Sequence, residues 1–490
     1  MTAPDPVAGL LAALDQRVVA AARALGRLAG SDTADTLRTL VTLARESTQS
    51  DVAWLVLTAV AGTFPLAGEV QAFRRSLETR SDDEATAALL GDVVRRPWRG
   101  ELELEMEVVV GGVVVNVDFC ARHDIHTGIH RVVRETLPRW ARDHEQVATA
   151  NVDSYGALRT LAPREVQRVF DYSGGDEVDR TAERAYRARL VVPWRAVLVI
   201  PEIPDPQFSP ALAALAELSG NAVTLIGYDM IPVVSADLRP HVDAVRFGRY
   251  LTVVKHAARV AGISVSATTE FAGFAHAVTA QGLPGPQVHE VVLPTDVPPP
   301  APADEHPPTR PQVLCVGSHE PHKNHRTVLY AAERLWREGL DFELVLIGGP
   351  GWQSDSFVRH LAEVTASGRP VRDRGRVSDD ELWQAYRDAR FSVFLSVHEG
   401  FGLPVVESLA CGTPVVTTDY GSMREIADGG GCLAVDPLDD DAVTDAMRRL
   451  LLDDAELERL HQEATRRAAR TWDDYAADLW DVLATVGGRS

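Results

Sequence analysis

The residue types best suited to chemistry in this chain are gathered in His398–Glu399–Gly400–Phe401–Gly402–Leu403–Pro404–Val405–Val406–Glu407. The stretch follows a mostly apolar run, Phe391–Leu395, and so lies at the carboxyl end of a strand. Gly400 and Gly402 permit a tight turn and a close backbone approach to a ligand. Pro404 suits a first helical turn, where a missing N–H costs nothing. The N–H groups of Phe401, Gly402 and Leu403 then point outward at the positive end of the helix, which makes an anion site. Glu399 lies in the loop and Glu407 about one turn into the helix. Two carboxylates so placed suit hydrogen-bonding to several sugar hydroxyls at once. A second signal is Lys323, inside the turn that follows the run Val313–Gly317. The basic residues are almost all arginine, with Lys255 the other lysine, so a lysine in a candidate phosphate turn is informative.

These groups need elements to position them. From Glu105 onward, strand-like runs alternate with helical ones, which implies parallel sheets covered on both faces. Before the proline-rich stretch Val297–Pro311, strands are expected at Val113–Phe119, Ala196–Ile200, Ala222–Ile226, Ser264–Ala267 and Val288–Leu293. Helices are expected there at about Ile129–Arg142, Pro210–Leu218 and Pro240–Ala261. After it, strands are expected at Val313–Gly317, Glu343–Gly348, Ser392–Ser396, Pro414–Thr417 and Cys432–Val435. The helices between and after them are expected at Asn324–Glu338, Phe357–Ala366, Asp379–Asp388, Leu403–Cys411 and Asp439–Leu452. The division is therefore a helical appendage (1–98), a first Rossmann-like domain (99–296) and a stiff linker (297–311). A second Rossmann-like domain (312–454) follows, then C-terminal helices (455–490) placed to cross back to the first. Residues 1–98 hold no histidine or cysteine, and helical periodicity there reads as a docking or acceptor-handling unit, with docking favoured.

At 490 residues the chain is too long for one core. Its 45 % apolar and 24 % charged residues are ordinary for a globular protein. The net charge of −21 argues against nucleic acid as a partner. No apolar run approaches the roughly 20 residues that span a bilayer, and Met1–Leu11 does not read as a secretory signal. A cytoplasmic location is expected, with peripheral contact at the inner membrane face through residues 1–98 as a variant of it. Cys120, Cys315, Cys411 and Cys432 are scattered and read as reduced thiols.

The EGFGLPVVE stretch resembles the E-x7-E motif of glycosyltransferase family 4, retaining enzymes of the GT-B fold. ACGTPVVTTDYGSMREI, VGSHEPHKNHRTVLYA, ELVLIGGPGW and RGRVSDDELWQAY resemble further stations of that family in the same order. The likeness is close over roughly 310–475, with weaker echoes at HTGIHRVVRE and YDMIP. It implies that Glu399 contacts hydroxyls of the transferred sugar and that the backbone at Phe401, Gly402 and Leu403 holds sugar and diphosphate. It further implies that Glu407 binds the ribose, Lys323 neutralises the departing diphosphate, and the Arg376–Val377 backbone meets the base. Gly128 would approach the donor from across the cleft, and Tyr228 and Asp229 would stand on the acceptor side.

The family often has an arginine shortly before the phosphate-site lysine; Ser318 and His319 occupy that stretch in this chain, leaving His322, Arg131 or Arg134 as substitutes. Many relatives also have a histidine where Tyr228 stands. No D-x-D spacing lies beside a suitable strand, so stabilisation of the leaving diphosphate falls to Lys323 and backbone amides. The expectation is a metal-independent, cofactor-free retaining transferase using a UDP-, GDP- or other nucleotide sugar and a glycan or lipid-linked acceptor. A non-catalytic nucleotide-sugar-binding protein and a scaffold built on the N-terminal helices are the alternatives.

Overall fold

A computed structural model describes residues 6–95, 102–124, 127–152, 156–172, 180–294 and 310–486. Five helices come first: α1 (Pro6–Ala24), α2 (Thr33–Glu46), α3 (Asp51–Ala61), α4 (Ala67–Thr79) and α5 (Asp82–Arg95). The N-lobe follows as β1 (Met106–Val110), β2 (Val113–Asn116), α6 (Asp118–Arg122), α7 (Gly128–Asp143), β3 (Val147–Asn151), β4 (Leu158–Thr160), α8 (Pro163–Phe170) and α9 (Arg180–Ala185). It continues through β5 (Leu190–Trp194), β6 (Val197–Ile200), α10 (Ser209–Leu218), β7 (Ala222–Gly227), α11 (Ile231–Val234), α12 (His241–Val254), β8 (Arg259–Gly262), α13 (Val265–Ala277) and β9 (Gln287–Glu290). The C-lobe comprises β10 (Gln312–Val316), α14 (His325–Arg337), β11 (Glu343–Ile347), α15 (Asp355–Ala366), β12 (Val371–Asp373) and α16 (Asp379–Asp388). Then come β13 (Phe391–Phe394), α17 (Leu403–Ala410), β14 (Val415–Thr418), α18 (Gly421–Ala427), β15 (Cys432–Val435) and α19 (Asp440–Leu452). The chain closes with α20 (Asp454–Thr465) and α21 (Trp472–Leu483).

The C-lobe sheet runs β12-β11-β10-β13-β14-β15, parallel throughout. Strand order reverses between β10 and β13, and at such a switch point the loops leaving the two strands diverge and open a crevice. The turn with Lys323 leaves β10, and the loop with Glu399 leaves β13. The N-lobe sheet runs β1-β5-β4-β3-β2-β6-β7-β8-β9. Strands β5, β6 and β7 are buried at every residue, as sheets covered on both faces require.

Sequence and structure part at several places. β4 is antiparallel to both of its neighbours, so the N-lobe sheet is mixed. Ser264–Ala267 is not a strand: Ser264 caps α13, its side chain accepting from the Ala267 N–H. The strand is β8, which the expected helix Pro240–Ala261 had absorbed. The valine run from 113 stops at Asn116, and the next residues form α6. Helix α18 and strand β12 carry too few apolar residues to announce themselves. The stretch 297–309 and His126 lie outside the described residues.

Helices α1–α5 share one core with β1, β5, β6 and β7, centred on Trp54 and Trp194. Arg17 of α1 is buried there and donates to the carbonyls of Ala59 (2.7 Å), Leu102 (2.5 Å) and Leu104 (2.8 Å). Burial lowers its pKa to about 10. A second core runs between the lobes, from Val132, Leu137 and Trp140 to Phe401, Val405, Trp472 and Tyr475. Helix α21 is tied to the N-lobe there, with Trp140 Nε1 donating to Ala476 O at 2.8 Å and Thr224 Oγ1 to Leu483 O at 3.1 Å. All four cysteines are free thiols. Among the described residues, no helix is long and apolar enough to cross a membrane.

Candidate active site

The turn after β10 and the loop after β13 are zipped together. Val397 N and Ser396 Oγ both donate to the His322 carbonyl, at 2.8 and 3.0 Å. This register brings Lys323 Nζ to 2.5 Å from Glu399 Oε1. The pair is mostly buried, with side chains 18 % and 13 % exposed, so the contact is screened less than a surface one. Burial by itself would raise the Glu399 carboxyl. The charge of Lys323 and its hydrogen bond outweigh it and hold the group below its ordinary value.

Beyond Glu399 the chain turns into α17 through Gly402, whose φ of +111° lies in the region that favours glycine. Among the described residues, the N–H groups of Phe401, Gly402 and Leu403 form no hydrogen bond. Gly400 answers a different need. A Cβ on it would lie 2.1 Å from the Tyr228 carbonyl oxygen, so the loop is pressed against the N-lobe backbone. Gly128, opening α7, stands opposite Leu403, whose Cδ1 would be 3.4 Å from a Cβ there.

Glu407 is buried, and both of its carboxylate oxygens are engaged. Arg131 of α7 donates to Oε1 at 2.6 Å and Tyr386 Oη to Oε2 at 3.0 Å. Burial raises its pKa, and the Arg131 charge offsets this only in part. Arg131 lies 5.9 and 6.0 Å from the Trp383 and Trp472 ring centres. It therefore pairs with the carboxylate at the far end of the motif and does not join Lys323. Arg134 donates to His123 O and stacks on Tyr172, also away from the turn. His322 faces Trp352 and is buried; burial and the neighbouring Lys323 charge lower its pKa to about 4, so its ring is neutral. The expected substitutes for the missing arginine thus do not place a second cation at the turn.

An N-lobe arginine that does reach the turn is Arg239. Its Nη1 lies 3.6 Å from Glu320 Oε2, its guanidinium lies over Trp352 at 5.2 Å, and Nη2 pairs with Asp243 at 2.9 Å. Nothing local in the sequence marks it, because it stands alone in the connection between α11 and α12. Arg376 is exposed beside Gly349, and Val377 packs onto the cluster of Trp383 and Tyr386.

On the N-lobe side, Tyr228 is buried and its hydroxyl donates to Pro201 O at 2.7 Å, so its ring packs in the core and only its backbone meets the cleft. Asp229 accepts from Ile231 N at 3.0 Å and is pushed up to about 6 by burial, with the charges of Glu399 and Glu270 adding to the effect. Sequence reasoning assigns His398 no role, yet it contacts two N-lobe residues, Ser235 and Glu270. A cavity of about 530 Å³ opens at the ends of β2 and β6, lined by Asp118, Phe119, Glu202, Asp205, Arg239 and Arg246 among others. Glu202 accepts from the Phe119 and Cys120 N–H groups, and burial pushes it up to about 7.

Residues 301–467 match the family model described as Glycosyl transferases group 1. The chain is 37 % identical over 143 residues to the O-antigen chain mannosyltransferase B of Escherichia coli, covering 29 % of this chain and 37 % of that protein. It is 32 % identical over 175 residues to the MMP alpha-(1->4)-mannosyltransferase of Mycolicibacterium hassiacum, covering 34 % and 41 %. The matched stretches thus span well under two thirds of these relatives. Sucrose-phosphate synthase from Thermosynechococcus elongatus superposes with a TM-score of 0.51 at 17 % identity, over 76 % of this chain and 96 % of that one. HepE from Anabaena, solved in complex with UDP, gives 0.51 at 12 % identity, over 77 % and 100 %. The fold is GT-B, with helices α1–α5 added, and the family match falls on the C-lobe.

Proposed function

We propose that this chain, whose C-lobe carries the family match, is a metal-independent retaining glycosyltransferase that moves a hexosyl group from a nucleotide sugar to a glycan or lipid-linked acceptor. The observation that carries the reading is the contact of Lys323 with Glu399 beside three backbone N–H groups free among the described residues. In the donor complex, Lys323 and those N–H groups take the diphosphate, and Glu399 turns to hydroxyls of the sugar. Glu407 binds the ribose, exchanging part of its contact with Arg131, and the Arg376–Val377 backbone meets the base. The acceptor hydroxyl then forms its bond to C1 on the face from which the C1–O bond to phosphate breaks. Its proton passes to a departing phosphate oxygen, which leaves a glycoside and a nucleoside diphosphate. Negative charge builds on the diphosphate, and the fixed cation and amides stabilise it without reorganising. The acceptor enters the cavity at the ends of β2 and β6. Mannose is the favoured sugar, since two matched relatives are named mannosyltransferases. Four free thiols suit a reducing, cytoplasmic setting.

The test is nucleoside diphosphate release from a panel of UDP- and GDP-sugars, with glycan and lipid-linked acceptors and with EDTA. One donor is expected to turn over, or at least to hydrolyse slowly, at a rate EDTA leaves unchanged. Binding without release would favour the non-catalytic alternative, to which the inward-packed Tyr228 gives some support. Loss of release in EDTA, restored by a divalent cation, would overturn metal independence.

A further inference from the structure

His398 belongs to the C-lobe loop that carries Glu399, yet both of its ring nitrogens are engaged by the N-lobe. Ser235 Oγ, just after α11, lies 2.8 Å from Nδ1, and Glu270 Oε1, on α13, lies 2.6 Å from Nε2. The side chains of His398 and Glu270 are 15 % and 19 % exposed, so the contact is largely withdrawn from solvent. The same loop is gripped through its backbone. Ser264 Oγ donates to the Gly400 carbonyl at 2.6 Å, and the Tyr228 carbonyl fills the space a Gly400 side chain would take. Helix α13, which presents Glu270, is itself docked on the C-lobe: Glu425 of α18 accepts from Val265 N at 3.0 Å and Ser266 N at 2.7 Å. Helix α13 and its cap thus hold the loop twice, through Glu270 and Ser264, while Ser235 and the Tyr228 carbonyl meet it from other N-lobe segments.

We propose that His398 is a positioning residue: by binding Ser235 and Glu270 across the cleft, it holds loop 397–402 in the posture that aims Glu399 at the transferred sugar. The role of Glu399 rests on the proposed glycosyl transfer; the docking of the loop does not. Glu399 is covalently next to His398, so its direction follows the backbone that His398 anchors. The carboxylates of Glu270, Asp229 and Glu399 face the imidazole, with the neutral His322 ring beyond them. Burial lowers its pKa, but the hydrogen bond and charge of Glu270, then Asp229 and Glu399, raise it by more. The imidazolium is therefore favoured when the lobes are docked. Its contribution is complete below the ordinary histidine range and falls as pH rises through the raised value.

Three variants of the full chain test this: His398→Asn, Glu270→Gln and Ser235→Ala. For each, kcat and KM are measured against pH, UDP and GDP binding by calorimetry, and radius of gyration by X-ray scattering without substrate. His398→Asn and Glu270→Gln are expected to lower kcat about tenfold or more, with the affinity of the nucleotide that binds the wild type changed by less than about threefold. Glu270→Gln, which keeps shape and loses charge, is expected to move the alkaline limb of kcat/KM to lower pH. Ser235→Ala should act in the same direction and less. The radius of gyration is expected to rise in His398→Asn. Wild-type kcat and pH profile in both charge-altering variants, with only a lower melting temperature, would reduce the contact to structural glue and overturn the proposal. So would an unchanged radius of gyration. If the wild type transferred no sugar, the functional reading would fall alone, and expansion of His398→Asn would still support the docking role.

Discussion

Lys323 and Glu399 are mutually dependent. Glu399 stays ionised although buried because Lys323 stands 2.5 Å away. Lys323→Ala leaves that carboxylate buried without its main cation, so its pKa must rise. The acid limb of kcat/KM is then expected to move to higher pH, on top of a loss of about 10²–10³-fold in kcat, the scale seen when one charge-stabilising donor is removed. A pH–rate profile of the variant checks both. Glu399→Gln keeps the shape and removes the charge, and it should lower kcat more than nucleotide affinity. The placement of Glu399 in the loop and Glu407 on α17 was legible in the sequence, because the glycines and proline between them mark a strand-to-helix turn. What each residue meets across the cleft was not legible. Arg131 and Glu407 are 276 positions apart, and Ser235 and His398 are 163 apart. Such pairings follow from how two lobes are set against each other, which no local spacing records.

Among the elements, C-lobe strands and helices were read well because each strand is a short valine-rich or apolar run bounded by turns. β8 and α13 were misread for a physical reason. Apolar residues from Val253 to Val265 recur at helical spacing across a real break, and Ser264 begins a helix by capping it instead of ending a strand. β4 and β12 are three residues each, too short to show a period. The loop from β13 to α17 carries the sharpest element-scale prediction. Gly400→Ala would put a Cβ 2.1 Å from the Tyr228 carbonyl oxygen, and backbone cannot yield as a flexible side chain can. The lobes must then shift apart at this point. Expected are a loss of about 10²-fold in activity, the size that a misplacement of about 1 Å can cause, and a near-native melting temperature. Kinetics paired with thermal denaturation measures this. Gly402→Ala, by contrast, forces φ of +111° on a residue with a side chain and should cost about 1–3 kcal/mol of stability.

For the whole molecule, the two lobes are not independent bodies joined by a strap. One apolar core passes from α7 through α21 into α17, and Trp140, fully buried, stands at its centre. Trp140→Ala is expected to cost about 3–5 kcal/mol, read as a fall in the urea midpoint. Helices α1–α5 are likewise bound into the N-lobe core through Arg17 and Trp54, so the sheet and these helices share one folding unit. The proposed activity depends on the two C-lobe loops meeting around one diphosphate. Calorimetric titration of wild-type protein and Lys323→Ala with UDP, GDP and their sugars tests that meeting most directly. One nucleotide is expected to bind the wild type at a single site, and Lys323→Ala is expected to bind it about tenfold more weakly or worse, a loss of at least about 1.4 kcal/mol. Equal affinity in the two proteins would contradict this arrangement, as would a wild type that binds none of these ligands.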